Sequence, residues 1–154
     1  MEKLALYGSS LFVLLCLLAG CQVEPKPIAY GEASCAHCSM TVSDNRYGAE
    51  LVNDKGKPFF FDSAECLAAY VNEQPEQGQK AAFLMVTDYT KPNELINAAD
   101  AYFLQSEALP SPMGMNLTAL SNEATANEMQ QEHGGRVLNW EQVLLAVKNN
   151  DKFK

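Results

Sequence analysis

Asp54-Lys55-Gly56-Lys57-Pro58-Phe59-Phe60-Phe61-Asp62-Ser63-Ala64-Glu65-Cys66-Leu67-Ala68-Ala69-Tyr70-Val71 is the stretch that decides the fold. Tyr47 to Asn53 and Lys57 to Phe61 flank Asp54-Lys55-Gly56, which predicts strand, turn and strand, a hairpin. Asp62-Ser63-Ala64-Glu65 then supplies a capping signal ahead of Cys66-Leu67-Ala68-Ala69-Tyr70-Val71, whose apolar spacing is helical, so Cys66 falls in the first turn. The helix is expected to end before Pro75, Gly78 falls in the following loop, and Ala82 to Thr87 reads as a buried strand. Strand, strand, helix, strand is an α+β pattern.

Downstream the order recurs. Pro92 to Asp100 reads as a connection with room for a helical turn, and Ala101 to Gln105 as a strand. Ser111-Pro112-Met113-Gly114 forms a loop, because proline lacks the amide donor and glycine weakens pairing. Asn116 to Leu120 is the next strand, and Ser121 or Asn122 caps a helix from Glu123 to Glu132 that Gly134-Gly135 stops. Arg136 to Asn139 is a short strand and Trp140 to Val147 a final amphipathic helix. The expected architecture is therefore α+β: two related ββαβ units, residues 29–90 and 91–154, packed together with a C-terminal helix. Leu120-Ser121-Asn122-Glu123-Ala124 takes the place in the second unit that Phe61-Asp62-Ser63-Ala64-Glu65-Cys66 takes in the first. Packing of the halves around a pseudo-symmetric sheet would bring a Cys35 to Met40 loop near the Ser111 to Met115 loop.

The N-terminal end carries an address. Lys3, an apolar run from Leu11 to Leu18 and Leu18-Ala19-Gly20-Cys21 form a secretory signal over residues 1–20, too short to be read as a spanning helix. Leu-Ala-Gly-Cys resembles the bacterial lipobox, which makes Cys21 the acylated first residue of a mature chain of 134 residues, and Cys16 leaves with the signal. Residues 21–28, with two prolines and no apolar period, suit an extended, lipid-anchored tether. The net charge of −8 gives no electrostatic footprint for nucleic acid and suits a soluble tethered domain.

The chemistry gathers at Cys35-Ala36-His37-Cys38-Ser39-Met40. Beyond the acylated cysteine only Cys35, Cys38 and Cys66 remain as thiols, an odd number that leaves one over in any structural disulfide framework. In an oxidising compartment unpaired cysteines need a reason to exist. Thiolate and thioether are soft ligands, and the set Cys35, Cys38, Met40 with Met113 from the second loop points to Cu(I). Met113 lies between Pro112 and Gly114, where packing accounts for it poorly, whereas Met115 suits strand packing. His37 and Cys66 are possible additional ligands; a small residue buried under the hairpin is also a sufficient account of Cys66. His133, beside Gly134, reads as a helix C-terminal residue.

Two other readings of the cysteines stay open. Cys35-x-x-Cys38 is a dithiol spacing, so a thiol oxidoreductase acting on periplasmic copper proteins is one alternative. A knuckle, a hairpin and a cysteine in the first helical turn also resemble treble-clef and TRASH-like domains over Cys35 to Tyr70, which makes a structural zinc docking module the other, although a fourth cysteine after Cys66 is missing. No nucleophile and base pair, phosphate loop or paired acid signature is present, so a binding protein is expected rather than an enzyme.

Leu-Ala-Gly-Cys at 18–21, Cys-Ala-His-Cys-Ser-Met at 35–40, Phe-Asp at 61–62, Pro-Met-Gly at 112–114 and Gly-Gly-Arg-Val at 134–137 together resemble the NosL lipoproteins, accessory proteins of nitrous oxide reductase maturation. The resemblance spans nearly the whole mature chain. It implies a periplasm-facing copper chaperone, lipid-anchored to the outer membrane, that binds Cu(I) and supplies nitrous oxide reductase together with an ABC-type maturation complex. It also implies a fold of two related ββαβ units, and as Cu(I) ligands Cys35 or Cys38 or both, Met40 and Met113. His37 does not transfer from the family pattern.

Overall fold

The computed structural model describes residues 22–151; Cys16, Cys21 and the signal segment 1–20 lie outside the described residues. Strands β1 (Ala49–Asn53) and β2 (Pro58–Phe61) form the expected hairpin. Its turn is set by Asn53, whose Oδ1 accepts from the backbone N–H of Lys55 and Lys57 at 3.0 and 2.9 Å. Gly56 takes a left-handed φ of 77° there. Helix α1 (Ala64–Glu73) starts where the capping signal falls: the N-cap Ser63 accepts from Cys66 N–H at 3.4 Å.

Strand β3 (Ala81–Thr87) returns antiparallel to β1. Between α1 and β3 the structure departs from the expected loop. Pro75 closes α1 but also opens a short helix, α2 (Pro75–Gln79), because proline at the first helical position forfeits only an amide that would have no partner. The connection expected over 92–100 likewise contains strand β4 (Leu95–Asn97), paired with β3, and a 3-10 turn (Ala98–Asp100) capped by Asn97 Oδ1. Strand β4 therefore completes the first sheet, ordered β2-β1-β3-β4, although it falls within the range read as the second unit.

The second sheet has strands β5 (Tyr102–Gln105), β6 (Leu117–Leu120) and β7 (Arg136–Leu138), in the order β6-β5-β7. Helix α3 (Glu123–His133) is capped by Asn122, and helix α4 (Trp140–Lys148) by an Asn139–Gln142 capping box. Gly134 ends α3 with a left-handed φ of 69°, and the Gly135 backbone runs so close to the Gln105 carbonyl that a Cβ there would clash with it. In both halves the hairpin's first strand is central, and the strand after the helix pairs on its other edge. The sheets stay separate rather than forming one pseudo-symmetric sheet.

The two sheets use their faces differently. Ala49, Leu51, Phe61 and Val86 of the first sheet point to α1, in one core with Leu67, Phe103, Leu117, Leu138 and Trp140. Leu104 and Leu120 on the opposite face of the second sheet meet Ala126 of α3 in a smaller cluster. Helix α1 and α4 thus lie in the main core, and α3 lies outside it.

Residues 22–28 are not a free tether. Lys26 N–H donates to both carboxylate oxygens of Glu50, at 2.9 and 3.0 Å, and Ile28 packs against the core. Glu50 is fully buried on the face of β1 opposite Leu51. Burial pushes its carboxyl up to about 7, against the pull of the Lys26 N–H.

Candidate metal centre

The Cys35 loop is a small hairpin of its own. Ser34 bridges Thr41, Cys35 N–H donates to the Met40 carbonyl at 2.8 Å, and Ser39 N–H to the Cys35 carbonyl at 3.0 Å. Ser39 closes the turn with a φ of 64°. Ala36 N–H donates to the Phe60 carbonyl at 2.8 Å, which pins the turn to β2. These bonds turn Cys35 inward to 3% exposure and leave Cys38 half-buried. From the other side, the Ser63 cap sets the first turn of α1 so that Cys66, 1% exposed, faces the same point.

The Sγ atoms of Cys35, Cys38 and Cys66 all lie within 4.8 Å of one another, and all three cysteines are free. The Cys66 thiol donates to Cys35 and, against the cost of burial, holds it well below the usual thiol range; backbone N–H groups of Cys38, Asp62 and His37 add to this. Burial raises Cys38. Donation to Cys35 and burial together raise Cys66 far above its ordinary value. The cluster therefore favours the thiolate form at Cys35, with the Cys66 thiol and the Cys38 N–H donating to it. A soft cation drawing on all three displaces the remaining protons, so its affinity rises with pH.

A cavity of about 150 Å³ adjoins the cluster at Cys66 and is lined by His37, Glu65, Ala69, Met113, Met115, Val147 and Asn150. Met113 reaches it from the second half, on the loop between β5 and β6, and Met115, expected as strand packing, also lines it from just before β6. His37 Nε2 meets Glu73 Oε1 at 3.2 Å, while its Nδ1 is buried without a hydrogen-bond partner among the described residues. Met40 stands apart from this enclosure, with 55% of its surface exposed. His133 is the last residue of α3 and its carbonyl accepts from Ser106 Oγ at 2.7 Å, a helix-end role away from the cavity.

Of the residues singled out from the sequence, the fold thus brings Cys35, Cys38 and Cys66 into one cluster and sets His37 and Met113 on the wall beside it. Glu65 was legible only as part of a capping signal. Its neighbour Cys66 takes the cap's hydrogen bond, and Glu65 turns into the cavity wall.

The NosL family model matches residues 27–147. A curated relative, the copper-binding lipoprotein NosL of Stutzerimonas stutzeri, is 32% identical over 152 residues, spanning 88% of this chain and 79% of the relative. The crystal structure of the copper chaperone NosL from Shewanella denitrificans matches with a TM-score of 0.68 at 22% identity, over 79% of this chain and 96% of that one. At that identity the structural likeness carries the fold.

Proposed function

Because the chain belongs to the NosL family, we propose that it binds Cu(I) at Cys35, Cys38 and Cys66, with the Met113 thioether at the mouth of the site, and passes the ion on without chemical change. The observation that carries this reading is the cluster of three free thiols within 4.8 Å, two of them in the protein interior. Sulfur donors select soft ions, and three donors on a loop and a helix start leave room for a fourth from a partner. Exposed Met40 is suited to first contact with such a partner. The relatives' names, a copper-binding lipoprotein and a copper chaperone, support copper as the cargo.

The finer reading places the protein in the periplasm, acylated on Cys21 and held to the outer membrane, where it supplies copper for nitrous oxide reductase maturation through an ABC-type complex. The negative net charge and the lipobox-like Leu18-Ala19-Gly20-Cys21 accord with that placement. Anaerobic titration of the reduced protein against a chromophoric Cu(I) chelator tests the site. One Cu(I) per chain is expected, and loss of Cys66 by Cys66→Ser lowers affinity at least about a hundredfold, some 2.7 kcal/mol. Wild-type affinity in Cys66→Ser overturns the three-thiol site. Retention of zinc in preference to Cu(I), with unfolding on chelation, would favour a structural zinc module instead.

A further inference from the structure

Glu65 is a charged residue with 3% exposure, and neither the thiol cluster nor the cap of α1 makes use of its side chain. Such burial is costly unless the carboxylate is hydrogen-bonded. Its Oε1 accepts from two groups, both in the second half of the molecule: the Ser111 hydroxyl and the Leu117 N–H, the latter at 3.2 Å. Ser111 in turn closes its own loop. Its Oγ accepts from Asn116 N–H at 2.9 Å, its N–H donates to Asn116 Oδ1 at 3.4 Å, and its carbonyl accepts from Gly114 N–H at 3.1 Å.

The six residues 111–116 are thus cross-tied, with Glu65 bonded at Ser111 and just past the far end at Leu117, and Met113 lies between the two ties. The residue that follows Glu65 in sequence is Cys66. Cys66, Glu65 and Met113 all line the same cavity, and Glu65 Oε2 is buried without a hydrogen-bond partner among the described residues. One side chain therefore carries the position of the helix start that bears a thiol across to the loop that bears a thioether.

We infer that Glu65 is a positioning residue that holds Met113 beside the thiol cluster. The inference rests on the reading of Met113 as a Cu(I) ligand. The thiols do not depend on this link, because Cys35, Cys38 and Cys66 are placed by bonds within the first half. Losing the link frees Met113 while the cluster stays.

The test is a set of anaerobic Cu(I) competition titrations on the reduced full-length protein: wild type, Glu65→Gln, Glu65→Ala, Met113→Ala and the Glu65→Ala/Met113→Ala double variant. Glu65→Ala is expected to weaken binding about tenfold, and the double variant to bind no more weakly than Met113→Ala alone, since the two changes remove one interaction. Glu65→Gln keeps an oxygen for both donors and is expected within about twofold of wild type. X-ray absorption of copper-loaded Glu65→Ala should show one sulfur fewer around copper, a change that a merely structural role would not produce. If Glu65→Ala does not fold, Ser111→Ala removes one of the two ties from the other side, leaving Leu117 N–H on Glu65, and is judged by the same non-additivity with Met113→Ala.

Additive losses, or wild-type affinity in Glu65→Ala, overturn the inference and leave the Met113 reading standing. Equal weakness of Glu65→Gln and Glu65→Ala also overturns it, because charge rather than hydrogen-bond geometry would then matter. Wild-type affinity in Met113→Ala removes Met113 as a ligand and takes the inference with it, while the three-thiol site remains to be judged on Cys66→Ser.

Discussion

Ser63 and Asn122 cap helices at equivalent places in the two halves, each accepting a hydrogen bond from the residue three positions on, Cys66 and Thr125. Beyond that shared start the helices part. Helix α1 buries Ala64, Glu65, Cys66, Leu67, Ala68 and Tyr70, while α3 buries Ala126 alone. The same connectivity has thus been folded into two different environments. The helix inside the core can hold a thiol away from solvent and still present it at a cavity, and the helix outside serves as a cover for the second sheet. Among the described residues the outer side of the first sheet has no such helix, and there Glu50 holds Lys26 instead.

Matched substitutions in the two helices test that contrast. Leu67→Ala, at a fully buried site, is expected to cost about 3 kcal/mol of stability, whereas Met129→Ala, at a half-buried site on α3, costs about 1. Chemical denaturation of the reduced, metal-free variants reads the difference, and equal costs would erase the distinction between an inner and an outer helix. At the equivalent third positions, Cys66→Ser lowers Cu(I) affinity at least about a hundredfold and Thr125→Ser leaves it unchanged in the same titration. Comparable loss in both would mean that the change acts through the fold and not through the site.

The caps give a finer comparison. Ser63 is fully buried and Asn122 exposed, so Ser63→Ala should cost about 1.5 kcal/mol and Asn122→Ala about 0.5. Glu50→Gln tests the outer face. Glu50 has a folded-state value near 7 against an ordinary 4.5, so between these values the folded chain binds more protons than the unfolded one. Stability from this group is full below the ordinary value and is lost as pH rises through about 7. Glu50→Gln carries no charge and keeps an oxygen for Lys26. It should gain on wild type as pH rises from about 5 to about 8, by at most about 3 kcal/mol, and be level with it at about pH 4.5. A Glu50→Gln protein less stable at the higher pH would mean that the carboxylate's bonds to Lys26 outweigh its burial.

Local signals carried most of the architecture. Asp54-Lys55-Gly56 marks the hairpin and Ser63 the helix start, since each acts within a few residues of itself. Strand β4 escaped because three residues are too few to show a period, and α2 escaped because Pro75 serves as both stop and start. The centre was half visible. Cys35 and Cys38 share a motif, but Cys66 joins them only through the packing of a loop against a helix. In sequence its burial alone was reason enough for it. Met40, close to the thiols in sequence, ends exposed, and Met113, far from them, lines the cavity at Cys66. Nothing short-range distinguishes the two thioethers.

The seat of Lys26 on Glu50 also sets a leash length. Between Cys21 and that anchored residue lie five peptide steps, about 17 Å of chain at full extension. If Cys21 carries lipid as proposed, the domain cannot roam on a long flexible stalk. It hovers within about a domain's width of its attachment, and its encounters become those of a body confined to a thin layer, where a partner fixed to the same surface is met at high local concentration. A single buried carboxylate on the back of the first sheet would then decide how far the cargo can travel before it is handed over.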